Sequence, residues 1–336
     1  MPAGLIIAGW LLGFTSLSFV LTLWSIQYAR HARLVDQPGH RRSHDQPMLR
    51  GGGIAIVATM IAALLTALLL DWVNANLLLA LTIPLLLVAV PGWKDDHQPL
   101  SIRIRLLGQF IAAVLATVIL TGVPSSPADG LLTAFMVLGL MWLTNLYNFM
   151  DGSHGLAAGE GVFAGLAFSL AFYSVTDWPG FWASLSIMAA CLGFLPLNFP
   201  RPRIFMGDVA SGPLGLAFGV IGLYGVLNDS LHPAWPLLIL SLFIVDASLT
   251  LLNRIFRRQQ WYTAHTEHAY QRLILLGFGH TGTWVAFQLI NILILLPLLV
   301  WMLITGLNPW YGLIIAVALE VLAWMVVYRR SLKRSQ

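Results

Sequence analysis

The chain is 336 residues long, 58% hydrophobic and only 10% charged, with a formal net charge of +4. Soluble domains carry about 25% charged residues, so a soluble enzyme is excluded, and the small positive excess needs no nucleic-acid partner. Apolar runs close to the ~20 residues that cross ~30 Å of hydrocarbon as helix recur along the whole chain, the pattern of a polytopic membrane protein.

In chain order the hydropathy pattern predicts about eleven transmembrane helices, at 4–28, 53–70, 75–92, 104–121, 131–147, 159–175, 180–197, 211–227, 234–252, 281–304 and 309–328. Proline and glycine mark several ends, as at Pro91-Gly92, Pro124, Pro179-Gly180, Pro200 and Pro202. The first span has no basic stretch ahead of it and no small-x-small site after it, so it reads as a retained helix and not as a removed signal peptide. Every connection is too short for a separate domain, which makes residues 1–336 one polytopic membrane domain of the all-α class. The single cysteine, Cys191, lies in an apolar segment and forms no disulfide within the chain.

The loops between spans fall into two sets. All eighteen Lys and Arg occur in alternate connections and the C-terminal tail: Arg30 to Arg50, Lys94 to Arg105, Arg201 and Arg203, Arg254 to Arg272, and Arg329 to Arg334. The opposite connections carry none, only Asp71, Asp129, Asp177 and Asp229. The positive-inside rule then predicts an outside N-terminus and a cytoplasmic C-terminus. Trp72, Trp178, Trp235 and Trp310 fall near the predicted outer ends and read as interface anchors.

Polar residues collect on the basic side. The segments are "DQPGHRRSHDQPMLRGGG" (36–53), "GWKDDHQPLSIRIRLLGQ" (92–109), "NLYNFMDGSHG" (145–155), "NFPRPRIFMGDVASGPLG" (198–215) and "HTEHAYQR" (265–272). Ionisable groups near membrane depth are costly and mark function by default. Each also admits a plainer role. Asp95-Asp96 at a helix entrance would complement the macrodipole, but adjacent carboxylates repel and stay ionised only beside a cation or in water. Asp208, just before a helix expected to start near Ser211, is a candidate N-cap. Gly51-Gly52-Gly53 permits a tight turn and close packing, and no GK[ST] follows to make it a P-loop. His265 and His268, spaced i and i+3, would share a face of a helix. With carboxylates dominant and no thiols nearby, an oxygen-preferring ion such as Mg²⁺ fits better than zinc. Asp246 in the ninth span would pair with a neighbouring helix or reach the polar side, and Glu320 in the eleventh reads as structural.

Taken together these segments resemble the polyprenyl-phosphate N-acetylhexosamine-1-phosphate transferases. The resemblance covers about residues 36–280 in the family's order: D-x-P-x-x-R-x-x-H with glycines, Asp-Asp, N-x-x-N-x-x-D-G, F-M-G-D-V and a histidine loop. "NLYNFMDG", "FMGDVASG" and "HAYQR" are most similar to the O-antigen-initiating branch. The resemblance implies transfer of sugar 1-phosphate from a UDP-N-acetylhexosamine to undecaprenyl phosphate, with release of UMP and a requirement for Mg²⁺, or Mn²⁺ in its place. It further implies a bacterial inner (cytoplasmic) membrane protein with its site on the cytoplasmic face. Residue by residue, Asp208 matches the metal-binding aspartate, with Asp151 beside it on the metal. Asp95 and Asp96, with Asp151, match the catalytic acids. Asn145, Asn148, His265, His268, Arg41, His44 and Arg105 match substrate-binding positions, and Gln109 matches the helix after the Asp pair.

Two positions depart from the family. Where its loop often continues Asp-Gly-x-Asp-Gly, this chain has Asp151-Gly-Ser-His154-Gly, and Ala210 stands where glycine is usual. An imidazole is no substitute for a hard oxygen ligand, so a second acid at 154 is lost, and on sequence grounds His154→Asp is expected to be tolerated. The alternatives are the phospho-MurNAc-pentapeptide transferase of peptidoglycan synthesis, disfavoured by the histidine loop, and a transporter. A transporter would place its charges near the midplane of inverted repeats, and no repeat is visible.

Overall fold

Short polar side chains start several helices. Asn74 accepts the N–H of Leu77, Ser101 that of Ile104, Ser126 that of Asp129 and Asp177 that of Gly180, each satisfying one donor that a helix N-terminus leaves open. The computed structural model describes residues 3–36, 47–260 and 265–334. The helices are α1 (Ala3–His31), α2 (Ile54–Leu69), α3 (Ala75–His97), α4 (Ile102–Thr121), α5 (Pro127–Phe149), α6 (Leu156–Ser174) and α7 (Trp178–Asn198). They continue with α8 (Asp208–Leu227), α9 (Ala234–Ile239), α10 (Ser241–Phe256), α11 (Ala269–Leu273), α12 (Gly279–Ile290), α13 (Leu296–Thr305) and α14 (Pro309–Arg334). π-helical turns at Ile274–Phe278 and Asn291–Leu295 join α11 to α13.

The all-α expectation holds, with one small addition. β1 (Val35–Asp36) pairs antiparallel with β2 (Met48–Leu49), Val35 opposite Leu49. That pairing brings Arg50 back beside Asp36.

Among the described residues nine helical runs are long and apolar enough to cross a membrane: α1, α3 to α8, the α11–α13 run and α14. Two of the eleven expected spans fall short. The 53–70 segment forms only the 16 residues of α2, ~24 Å of helix, and the 234–252 segment breaks at Leu240 into α9 and α10. Hydropathy averages over a window and does not register such a break.

Other boundaries move as well. α3 runs through Pro91 and Gly92 to His97, because a proline forfeits one backbone hydrogen bond and neighbouring helices tolerate that in a membrane bundle. Asp95 and Asp96 therefore stand in the last turn of a helix and not at an entrance. α8 starts at Asp208, three residues before the expected Ser211, because its first donors are met by another residue, described below.

Within the bundle α6, α7 and α8 are mostly buried, whereas α1, α4 and α14 turn most of their apolar side chains outward. α8 packs against α3 and α5, and α7 against α1, α2 and α6. The glycine run after β2 packs closely: a Cβ at Gly52 would stand 2.9 Å from Ile204, and one at Gly53 would overlap Ala210. The tryptophans divide. Trp178 and Trp310 are exposed, but Trp235 is buried and Trp72 stacks on Trp182 with ring centroids 4.2 Å apart, so those two pack the bundle and do not anchor an interface.

The C-terminal ends of α1, α3, α5, α7, α10 and α14 share one end of the bundle. Tyr28 meets His97 there at 3.0 Å, and Ser331 meets Arg272 at 2.7 Å. The segments that collect chemistry in the sequence open onto this same end.

Candidate active site

A cavity of about 380 Å³ lies where α3, α5 and α7 end and α8 begins. One wall is acidic. Asp95 and Asp96 come from the last turn of α3, Asp208 from the first residue of α8, and Asp151 from the turn after α5. Arg50, just after β2, and Arg105, from α4, stand among them.

The adjacent aspartates point apart. Asp95 accepts the N–H of Leu100 at 2.6 Å and pairs with Arg105 at 3.1 Å. Asp96 is nearly inaccessible and accepts the backbone N–H groups of Asp208 and Val209, each at 3.3 Å, with Arg50 at 3.2 Å. It thereby caps α8 from outside the helix, so Asp208 has no capping duty and projects its carboxylate into the cavity. Gly207 allows this: its φ is +77°, and a Cβ there would lie 2.5 Å from an Asp96 oxygen.

Asp208 is held at both oxygens, by Arg105 at 2.7 Å and by the amide of Asn148 at 3.0 Å. Asn148 also donates to Ser211 at 2.7 Å, which fixes its orientation. Asp151 accepts the N–H of Gly207 and meets water only across the cavity that it lines. Burial, and then the charges of Asp208 and Asp96, hold its carboxyl well above the usual carboxylate range. Arg50 ties the wall together, donating to the carbonyl of Asp95 at 2.7 Å and facing Asp36 at 3.7 Å.

The opposite wall is aromatic and amide-rich. His154 and His280 stack with ring centroids 3.9 Å apart and 9° between planes, and Phe205 lies 5.7 Å beyond His154. Ser153 Oγ meets His280 Nδ1 at 3.0 Å. Asn198 accepts the N–H of Gly155 at 2.8 Å and donates to Ile204 at 2.9 Å, stitching the loop after α5 to the loop before α8. Beyond Arg105 and Asp208 a narrow cleft leads between Leu87, Val88 and Pro91 past Gln109.

Of the residues singled out in the sequence, Asp95, Asp96, Asp151, Asp208, Asn148 and Arg105 line this one cavity. Asn145 does not; its amide donates to Gln109 and to the carbonyl of Met141, both at 2.8 Å. Arg41 and His44 lie outside the described residues. His265 and His268 do not share a helical face. His268 is the N-cap of the short α11, its backbone N–H donating to Gln271 Oε1 at 3.2 Å, and His265 precedes the helix. Neither lines the cavity, although Gln271 from the same loop does. Burial, then the neighbouring His265 and the charges of Arg254 and Arg272, push His268 down to about 3; burial and Arg254 lower His265 as well. Glu267 between them pairs with Arg254 and, at 3.3 Å, with Arg272. Asp246 does not line the cavity; it meets a neighbouring helix, as one of its two expected roles has it, accepting the N–H groups of Ala269 and Tyr270 at the start of α11, with His268 Nδ1 3.8 Å away, and Glu320 accepts Ser241 Oγ at 2.7 Å.

Sequence reasoning assigned no role to Arg50, Asn198, Phe205, Gln271 and His280. Four of these sit inside the polar segments already noted, so their clustering with acids was the available signal. His280 stands at the head of an apolar run, where nothing in the local sequence announces it.

Among the described residues no group of three or more His, Cys, Asp and Glu converges as a ready-made metal centre. The donor chemistry nonetheless suits a hard divalent cation. Five aspartates, Asp36 among them, line the cavity with two arginines, an excess of hard oxygen donors, and Mg²⁺ is usually held by one or two carboxylates together with water and substrate phosphates. Asp151 and Asp208 are the carboxylates that would hold such an ion.

The model of glycosyl transferase family 4 matches residues 77–226, which span α3 to α8 and contain four of the five cavity aspartates, all but Asp36. A probable undecaprenyl-phosphate N-acetylglucosaminyl 1-phosphate transferase of Bacillus subtilis is 30% identical over 272 residues, 76% of this chain and 74% of the relative. A decaprenyl-phosphate N-acetylglucosaminephosphotransferase of Mycolicibacterium smegmatis is 30% identical over 309 residues, 80% of this chain and 76% of the relative. A phospho-N-acetylmuramoyl-pentapeptide-transferase of Enterococcus faecalis is 27% identical over 224 residues, 61% of this chain and 68% of the relative.

Proposed function

The chain belongs to the polyprenyl-phosphate N-acetylhexosamine-1-phosphate transferases of glycosyl transferase family 4, and we propose that its donor is a UDP-N-acetylhexosamine and its acceptor undecaprenyl phosphate. The products are undecaprenyl-pyrophosphoryl-sugar and UMP, and the reaction starts a lipid-linked cell-envelope glycan such as O-antigen. The observation that carries this reading is the convergence of Asp95, Asp96, Asp151 and Asp208 with Arg50 and Arg105 around one cavity at the basic end of the bundle.

Two polyanions have to meet, and phosphoryl transfer depends mainly on positioning and charge neutralisation. An oxygen of the lipid phosphate attacks the sugar-bearing phosphorus of the donor. The bond from that phosphorus to the bridging oxygen breaks, and UMP leaves with the bond's electron pair. Asp208 and Asp151 would hold Mg²⁺, which would supply charge neutralisation for the donor diphosphate. Arg105 borders both the cavity and the narrow apolar cleft, a position suited to an acceptor phosphate whose tail stays in lipid. Asn148 keeps Asp208 aimed, and the His154–Phe205 wall faces the less charged part of the donor. The basic loops on this end support a cytoplasmic face in a bacterial inner membrane, where water-soluble UDP-sugars are available.

The test is UMP release by purified protein with undecaprenyl phosphate and a panel of UDP-GlcNAc, UDP-GalNAc, UDP-FucNAc and UDP-QuiNAc, with and without Mg²⁺. Release from at least one donor only with the cation supports the reading. Release from UDP-MurNAc-pentapeptide alone would replace it with the peptidoglycan reaction, for which the Enterococcus relative is named. Silence with every donor would sink both.

A further inference from the structure

Tyr270 is fully buried at the head of α11 and lies behind the cavity wall. Its hydroxyl donates to the carbonyl of Phe149 at 3.1 Å and accepts the N–H of Gly152. Those two groups bracket the turn that carries Asp151. The approach at Gly152 is so close that a Cβ there would overlap the tyrosine oxygen. The Phe149 carbonyl is one of the open acceptors at the end of α5, and the hydroxyl satisfies it as a capping group would. A phenyl ring in place of the phenol would fill the space and leave both backbone groups without this partner.

The tyrosine is itself held from behind. Its N–H and that of Ala269 donate to the two oxygens of Asp246 at 3.1 and 2.7 Å. Asp246 also accepts Thr250 Oγ1 at 3.2 Å, and Thr250 accepts the indole N–H of Trp324 at 3.2 Å. A continuous chain of hydrogen bonds thus runs from α14 through α10 and the histidine loop to the turn that presents Asp151. Asp151 in turn accepts the N–H of Gly207, next to Asp208.

We propose that Tyr270 is a positioning residue for phosphotransfer, whose hydroxyl fixes the Asp151 turn against Asp208 and ties that placement to the histidine loop. The kinetic part of this proposal rests on the transferase reading; the cation-binding part does not. Removing a group that orients a metal ligand typically costs 10–100-fold in affinity or activity.

The test uses the full-length protein in detergent. Mn²⁺ binding is read by electron paramagnetic resonance without substrate, and kcat and KM are measured separately from UMP release. Tyr270→Phe is expected to weaken Mn²⁺ binding about tenfold and lower kcat at least about tenfold, with KM for the donor within about twofold. Gly152→Ala, which pushes against the hydroxyl, is expected to do the same, and adding Tyr270→Phe to it should restore part of the loss. Unchanged Mn²⁺ affinity in Tyr270→Phe overturns the proposal, whether or not Tm falls, and so does a wild-type protein that binds no Mn²⁺. Wild-type protein that binds Mn²⁺ but turns over no donor defeats the transferase reading alone, and the binding comparison still decides the role of Tyr270.

Discussion

The carboxylate of Asp96 accepts the backbone N–H of Asp208 at 3.3 Å, so one acid of the Asp-Asp pair caps the helix that carries another acid of the site. The pair is therefore not two copies of one function. Asp95 faces Arg105, while Asp96 fixes where α8 begins.

Asp96→Asn and Asp208→Asn should separate on that basis. Both are expected to abolish UMP release. Only Asp96→Asn gives up the carboxylate that receives the first two N–H groups of α8 and the 3.2 Å pair with Arg50, so it should also destabilise the protein by about 1–2 kcal/mol. Asp208→Asn relieves repulsion among acids and should leave Tm unchanged or raised. Thermal unfolding of the two variants side by side decides this; equal losses of stability would remove Asp96 from its capping role.

Gly207→Ala should be severe for two additive reasons. The residue sits at φ +77°, and the new methyl carbon would press on Asp96 at 2.5 Å. A loss of about 1–3 kcal/mol with collapse of turnover is expected. A folded Gly207→Ala protein with wild-type turnover would contradict the close packing of the two loops.

His154 reverses an expectation drawn from sequence alone. His154→Asp looks benign when the position is compared with the family's acid. In the structure it breaks the stack on His280 and adds a sixth carboxyl group beside Asp36, Asp95, Asp96, Asp151 and Asp208. The substitution should raise KM for the donor at least about tenfold, as expected for the loss of an aromatic contact and added repulsion from a polyanion. His154→Gln, which adds no charge, should be milder, and equal KM values for the two would exclude the electrostatic part.

His268 gives a pH prediction for stability. Its folded-state pKa is pushed down to about 3, below the 6.5 of the unfolded chain, because burial and the neighbouring His265, Arg254 and Arg272 oppose its charge. Between those values the unfolded chain binds the proton and the folded one does not. The contribution is complete above about 6.5 and is lost progressively as pH falls toward 3. Tm of the wild type relative to His268→Gln should therefore drop on acidification from pH 7 to 5, because the variant lacks this contribution to the slope. An unchanged slope would show that His268 is not the group responsible.

Cation removal supplies the last prediction. EDTA should stop turnover, and Mg²⁺ or Mn²⁺ should restore it. Asp151→Asn and Asp208→Asn should each weaken Mn²⁺ binding by at least about tenfold. Full activity in EDTA would remove the cation from the proposal.

What the sequence determined by itself was the class of protein, the side on which chemistry gathers and most of the acids. Those follow from local properties: apolar run length, the distribution of arginine, and carboxylates too costly to leave in lipid without purpose. Tertiary structure alone decided the division of labour. That Asp96 caps α8, that Asn148 rather than Asn145 reaches Asp208, and that the histidine loop stands behind the cavity all depend on which helix ends meet. Arg50 and His280 were illegible for the same reason, since their partners are supplied by distant segments. A hydrogen bond between residues 112 positions apart, such as Asp96 to Asp208, leaves no mark on the periodicity of either segment. It exists only once the bundle has closed.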